Sequence, residues 1–153
     1  MLNMKYFIWA SLAGAFIPII GILNARVGRA LGEPFYATVL VFLIALSIAL
    51  SVSIAFGRMS PSIHNLSTLQ LIDFGGGAIV AFYVVSATIL APKIGVANFI
   101  LMAVSSQIVF SLLVDHFGFF GAPGKPVNVL QVVGAVILLA GLIITQLTSA
   151  NSG

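Results

Sequence analysis

Residues 35–56 read FYATVLVFLIALSIALSVSIAF, a stretch of 22 residues without one charged side chain. As an α-helix this stretch is about 33 Å long, because each residue adds about 1.5 Å, and the hydrocarbon core of a bilayer is about 30 Å thick. A strand of a membrane barrel would instead alternate apolar and polar residues over about ten positions. This stretch is apolar on every face, so it predicts a transmembrane helix.

Four further stretches of the same kind lie on either side of it, and together they predict five spans. The approximate bounds are 6–25, 35–56, 74–91, 96–114 and 127–147. The connections between the spans are too short to hold a soluble catalytic domain. We therefore expect an all-α membrane protein, with a single five-helix transmembrane domain over residues 1–153 that is embedded in the lipid bilayer.

The composition excludes several other classes of protein. Hydrophobic residues make up 61% of the chain and charged residues 6%, with a mean hydropathy of +1.23. A soluble domain carries roughly a quarter charged residues, so these side chains cannot form a soluble surface. No Lys/Arg-rich run is present, and we expect no nucleic-acid partner. With no cysteine and no nucleophile–base set or metal-ligand cluster, we expect neither cofactor, metal nor enzymatic activity.

The positive charges are divided equally between the two sides of the predicted membrane domain. One side holds Lys5, Arg58 and Lys125, and the other holds Arg26, Arg29 and Lys93. Orientation follows the Lys/Arg excess on the cytoplasmic side, so a tie favours insertion in both orientations. Two oppositely inserted copies can then pair as an antiparallel homodimer of ten helices, which resembles the inverted repeats of many transporters. The alternative is that Lys5 and the α-amino group place the N-terminus in the cytoplasm.

Several motifs together resemble the YdcZ family, a five-helix branch of the drug/metabolite transporter superfamily, over nearly the whole chain. The motifs are Asn24-Ala25-Arg26, Leu31-Gly32-Glu33-Pro34, Gly75-Gly76-Gly77-Ala78, Ala91-Pro92-Lys93-Ile94-Gly95 and Asp115-His116-Phe117-Gly118-Phe119-Phe120-Gly121. The last motif is the most specific. The resemblance implies a bacterial inner (plasma) membrane protein, assembled from two inverted five-helix units, with a transport role. The chain departs from the family pattern at Ser106, where the family usually has Gly.

Polar residues within the fourth span are the first candidates for a substrate site, because polar groups in lipid are costly and are usually functional. Gln107 lies near the centre of this span, next to Ser106, and its amide offers two donors and one acceptor to a substrate. The structural alternative is a hydrogen bond between helices, worth about 0.6–2 kcal/mol.

Three residues of other spans complete the predicted substrate site. Asn24 and Arg26 follow a span that Pro18 is expected to kink, and Tyr83 offers a hydroxyl within the third span. The alternative for Asn24 and Arg26 is that both side chains reach the lipid headgroups. Arginines at this end of an antiparallel dimer would lie at both membrane faces, where they could attract anions.

These observations favour a dual-topology transporter that moves a small-molecule substrate by alternating access, with its site at the antiparallel dimer interface. No Asp, Glu, Lys or Arg lies in the middle of a span, which disfavours proton-coupled export of cations through a buried carboxylate. Two alternatives remain, a membrane scaffold or assembly protein that transports nothing and a passive pore.

Overall fold

The structure is a computed structural model that describes residues 4–57 and 68–150, with side chains described as far as residue 147. Throughout these ranges the regular secondary structure is helical, and five helices are long and apolar enough to cross a membrane. They are α1 (Met4–Leu31), α2 (Pro34–Ala55), α3 (Gly75–Ile94), α4 (Val96–Phe117) and α5 (Val129–Ala150). The predicted all-α, five-span class is therefore confirmed. Arg58, which enters the predicted charge tie, lies outside the described residues.

Helix α1 is longer than the apolar stretch that predicts it, and ends at Leu31 rather than near residue 25. The hydrogen bonds of a helix do not depend on apolar side chains, so the helix continues until the backbone is interrupted. Gly32 interrupts it with a φ of +77°, and Glu33 then caps α2 by accepting a hydrogen bond from the Phe35 N–H. Pro34 occupies the first turn of α2, where its missing N–H does no harm.

The connection between α4 and α5 is held by backbone and side-chain hydrogen bonds. Gly118 (φ +67°) reverses the chain, and the Lys125 N–H then donates to the Asp115 carbonyl oxygen at 2.8 Å. His116 Nδ1 accepts a hydrogen bond from the Val127 N–H at 3.3 Å. Much of the Asp115–Gly121 motif is thus a chain reversal, which explains its glycines.

Helix α5 begins with a reciprocal cap. The Asn128 side chain accepts from the Gln131 N–H, and the Gln131 side chain accepts from the Asn128 N–H, both at 2.9 Å. This capping box satisfies two backbone donors that the first turn of a helix otherwise leaves open.

The chain divides into two compact units, Met1–Val96 and Ala97–Gly153. In the first unit, α1, α2 and α3 pack on one another, and the residues buried among them are mostly small. They are Gly21, Asn24, Ala25, Gly28, Ala37, Thr38, Val84, Ala87, Thr88 and Ala91. In the second unit, the Gln146 amide of α5 donates to Asn98 Oδ1 of α4 at 3.2 Å.

Most large apolar side chains of all five helices are exposed on this single chain. In α2, for example, only Ala37 and Thr38 are buried among 22 residues. A protein of this composition exposes such surfaces to lipid, where apolar side chains cost nothing. Helix packing then depends on small residues that allow close backbone approach, which is what the interior of the first unit contains.

Candidate functional site

Small residues on one face of α1 and on one face of α3 allow the two helices to pack closely. Gly21, Ala25 and Gly28 repeat along α1 at intervals of four and three residues, and Ala87 and Ala91 lie one turn apart on α3. A Cβ atom on Gly21 would lie 3.6 Å from Ala91 Cβ and 3.8 Å from the Ala87 carbonyl oxygen. At Gly21 the two backbones therefore leave room for an alanine side chain but not for a larger one.

A buried chain of hydrogen bonds crosses this contact. Asn24 Nδ2 donates to Thr88 Oγ1 at 3.2 Å, and the Thr88 hydroxyl donates to the Val84 carbonyl oxygen at 2.8 Å. Asn24 is 5% exposed and Thr88 3% exposed. Asn24 therefore does not reach toward the headgroups; its amide joins α1 to α3 in the interior of the first unit.

A cavity of about 480 Å³ opens beside this hydrogen bond, at the end of the first unit where α1 ends and α2 begins. Its buried wall includes Ala25, Gly28 and Thr88, while two exposed cationic side chains, Arg29 and Lys93, line its outer part. The connection after α1 and the end of α3 therefore lie at the same end of this unit, as the five-span topology requires.

Backbone features of this cavity follow from Gly28 and Pro92. A Cβ atom on Gly28 would lie 3.2 Å from Pro34 Cα, so a larger residue here would push the start of α2 away from α1 by a few tenths of an ångström. Pro92, in the last turn of α3, has no N–H to donate to the carbonyl of Thr88 four residues earlier. Both Pro34 and Pro92 line the cavity.

The second unit carries a groove of about 360 Å³ between α4 and α5. Ser105 and Ser106 are its polar residues, and Val109, Leu139 and Leu142 are among its apolar ones. The Ser106 hydroxyl donates to the Met102 carbonyl oxygen of its own helix at 2.9 Å. The groove is thus largely apolar, and the Ser106 hydroxyl cannot donate a further hydrogen bond to a ligand.

Ser105 is buried, with 3% of its surface exposed. Gln107 comes two residues later, so it lies on the opposite side of α4. It is the twelfth of the 22 residues of α4, and its side chain is exposed. Its amide makes no hydrogen bond within the part of the chain that the structure describes. Ser111, one turn later, differs because its hydroxyl donates to the Ile108 carbonyl oxygen at 2.9 Å.

The five predicted site residues are therefore distributed over the two units. Asn24 adjoins the cavity through Thr88, whereas Arg26 is exposed and does not line it. Tyr83 is half-buried on α3 and does not line the cavity either. Ser106 and Gln107 belong to the second unit, and only Ser106 lines its groove.

The sequence did not predict that three residues of the cavity belong to one site. They are Thr88, Arg29 and Lys93. The small residues of α1 and α3 could have indicated that these helices pack together. Each set ends within two residues of one of the two cations, Arg29 on α1 and Lys93 on α3. The sequence analysis uses Lys93 only in the charge count and in a family motif, and Thr88 stands among apolar residues that indicate no partner for it.

The described residues contain no group of three or more His, Cys, Asp or Glu side chains that could hold a metal ion. The polar groups that line the cavity and the groove are hydroxyls and two cationic side chains, and the amide of Asn24 adjoins the cavity. Such groups can bind and orient a small solute through hydrogen bonds and charge.

The five apolar helices, with polar side chains retained inside them, define a multi-span integral membrane protein. A family model described as "Putative inner membrane exporter, YdcZ" matches residues 5–144. The chain belongs to this YdcZ family of the drug/metabolite transporter type, and is an inner-membrane protein. Comparisons with curated proteins and with solved structures gave no match.

Proposed function

We propose that the chain is one half of a small-solute exporter that inserts in both orientations and pairs as an antiparallel homodimer. The solute moves by alternating access through a site at the dimer interface near the middle of the membrane. Gln107 is the first residue of this site, and Asn24, Ser106, Tyr83 and Arg26 are its other candidates. Membership of the exporter family supports the transport role.

The observation that carries the proposal is the amide of Gln107. It is exposed halfway along a membrane-spanning helix, and has no hydrogen bond within the described part of the chain. Burying an amide without a partner costs about 1–3 kcal/mol by protein mutational data. A second chain, a solute or water in a cavity between two chains would supply the missing partner. An interface that contains such an amide near mid-membrane is suited to bind a solute.

The equal charge on the two sides supports the antiparallel arrangement. Three basic residues lie on each side, so neither orientation has a clear excess. Pairing of opposite orientations would bring the same residues to both halves of the membrane, which is the symmetry on which alternating access is built in inverted-repeat transporters.

The test is solute release from vesicles that contain the purified chain. Vesicles are loaded with a small-molecule extract of cells, and the solutes that leave faster than from protein-free vesicles are identified by mass spectrometry. The proposal predicts at least one released solute whose rate saturates with its concentration. A rate that rises linearly without saturation would indicate a passive pore. Release equal to that of protein-free vesicles would favour a scaffold.

A further inference from the structure

The cavity of the first unit presents two cations and no acidic side chain. Arg29 comes from the last turn of α1 and Lys93 from the last turn of α3, and both line the same space of about 480 Å³. Neither side chain makes an ion pair or hydrogen bond within the residues that the structure describes. Two like charges that share one cavity repel each other, and an anion between them would remove that repulsion.

The other polar side chains near the cavity already take part in hydrogen bonds within the first unit. The Thr88 hydroxyl donates to the Val84 carbonyl oxygen, so it cannot also donate to a ligand. The carboxylate of Glu33 accepts from the Phe35 N–H at the start of α2, and Glu33 does not line the cavity. The side-chain hydrogen-bond donors that remain for a ligand come from Arg29 and Lys93. These donors favour an acceptor that carries negative charge.

The length of α1 places this cavity near the membrane surface. Its 28 residues span about 42 Å, which exceeds a hydrocarbon core of about 30 Å by roughly two turns. Arg29 lies in the last turn, where a guanidinium can remain charged among headgroups and water. The cavity volume lies within the range of small-molecule sites, which is about 300–1,000 Å³.

We propose that this cavity binds a carboxylate or phosphate group, with the Arg29 guanidinium and the Lys93 ammonium as its two ligands. The site deepens the proposed function, on which its role in transport rests, by giving the exported solute an anionic group. In an antiparallel dimer one such site lies at each membrane face and attracts the anion there. The same chemistry would also hold the headgroup of an anionic lipid.

Binding is tested on the purified full chain in an uncharged detergent at low salt. One titration uses inorganic phosphate, and another uses a short-chain phosphatidylglycerol, both followed by calorimetry. Saturable binding of phosphate identifies a site for a soluble anion, and binding of phosphatidylglycerol alone identifies a lipid headgroup site. Both results support the anion site. Absence of binding in both titrations would overturn it.

Variants assign the binding to the cavity. Lys93→Gln and Arg29→Gln are expected to weaken binding at least tenfold, because each removes one of the two charges. Arg29→Lys keeps the charge and loses the two-pronged geometry, so it is expected to bind with intermediate affinity. Lys125→Gln removes a charge from a residue that does not line the cavity and serves as the control. Wild-type affinity in a folded Lys93→Gln or Arg29→Gln variant would overturn the assignment.

This test does not depend on transport. Binding is measured without vesicles, so a failure of solute release leaves the anion site standing. Conversely, vesicles that release a saturable solute, together with a chain that binds neither anion, would retain the exporter and remove the anion site.

Discussion

At the scale of single residues, Gln107 and Asn24 differ in whether their amides have a hydrogen-bond partner within the chain. Asn24 donates to Thr88 within the first unit, and this hydrogen bond joins two helices. Gln107 lies at the centre of α4 with an exposed amide that has no partner within the described residues. A satisfied amide contributes to packing, whereas an unsatisfied one needs a second molecule. The two residues therefore call for different experiments.

Replacement of Gln107 tests the site directly. Gln107→Ala is expected to slow release of the solute identified in the vesicle assay by about tenfold, the effect of losing one hydrogen bond of about 1–1.5 kcal/mol. Ser111→Ala is the matched control, because the Ser111 hydroxyl donates within its own helix at 2.9 Å. Unchanged release by Gln107→Ala, at normal protein level, would remove Gln107 from the site.

At the scale of helices, the spans could be predicted and their ends could not. A run of about twenty apolar residues is a property of the sequence itself, so five spans are visible in it. The end of α1 at Leu31 depends on Gly32, whose positive φ stops the helix, rather than on the end of the apolar run. The Thr88 partner of Asn24 depends on which helix faces meet, which one sequence does not show.

Gly21 tests the close contact of α1 and α3. A Cβ atom there would lie 3.6 Å from Ala91 Cβ, which is ordinary contact, so Gly21→Ala is expected to fold normally. Gly21→Leu is expected to force the helices apart at a cost of about 1–3 kcal/mol and to lower the melting temperature in detergent by several degrees. Gly14→Leu is the control, because no atom lies within 4 Å of its Cβ position. Equal melting of both leucine variants would contradict this packing.

Gly118 tests the chain reversal between α4 and α5. Its φ is +67°, and a Cβ atom would lie 3.2 Å from the Ala122 carbonyl oxygen. Gly118→Ala is therefore expected to destabilise the protein by about 1–2 kcal/mol, since L residues are disfavoured in this backbone region. A Cβ atom on Gly124, in the same connection, would lie 4.0 Å from Gly118 Cα, which is ordinary contact, so Gly124→Ala should melt as the wild type does. The reverse order of the two melting temperatures would refute the account of this motif.

At the scale of the whole molecule, the balance of charges and the exposed apolar surface determine how the chain inserts in the membrane, and not how its helices fold. The predicted three-to-three distribution of basic residues comes from the sequence alone, because orientation depends mainly on charges near the ends of spans. The proposed anion site could not be predicted from the sequence, because it requires α1 and α3 to place Arg29 and Lys93 at one end of the first unit.

One added charge should lock each chain in one orientation. Ala30→Lys raises one side to four basic residues, and Gly124→Lys raises the other side to four. Each variant alone is expected to lose saturable solute release from membrane vesicles prepared from the expressing cells, because antiparallel pairs can no longer form. Coexpression of the two should restore it. Full release by either variant alone would exclude a required antiparallel pair.

The most direct test of the central claim is to measure, in intact cells, the membrane orientation of the chain with its natural charges. The chain has no cysteine, so single cysteines at Ala30 and at Gly124 can be labelled with a membrane-impermeant maleimide. A dual-topology protein predicts that about half of each variant is labelled from outside. Labelling of one position completely and the other not at all would show a single orientation, and would contradict the antiparallel homodimer.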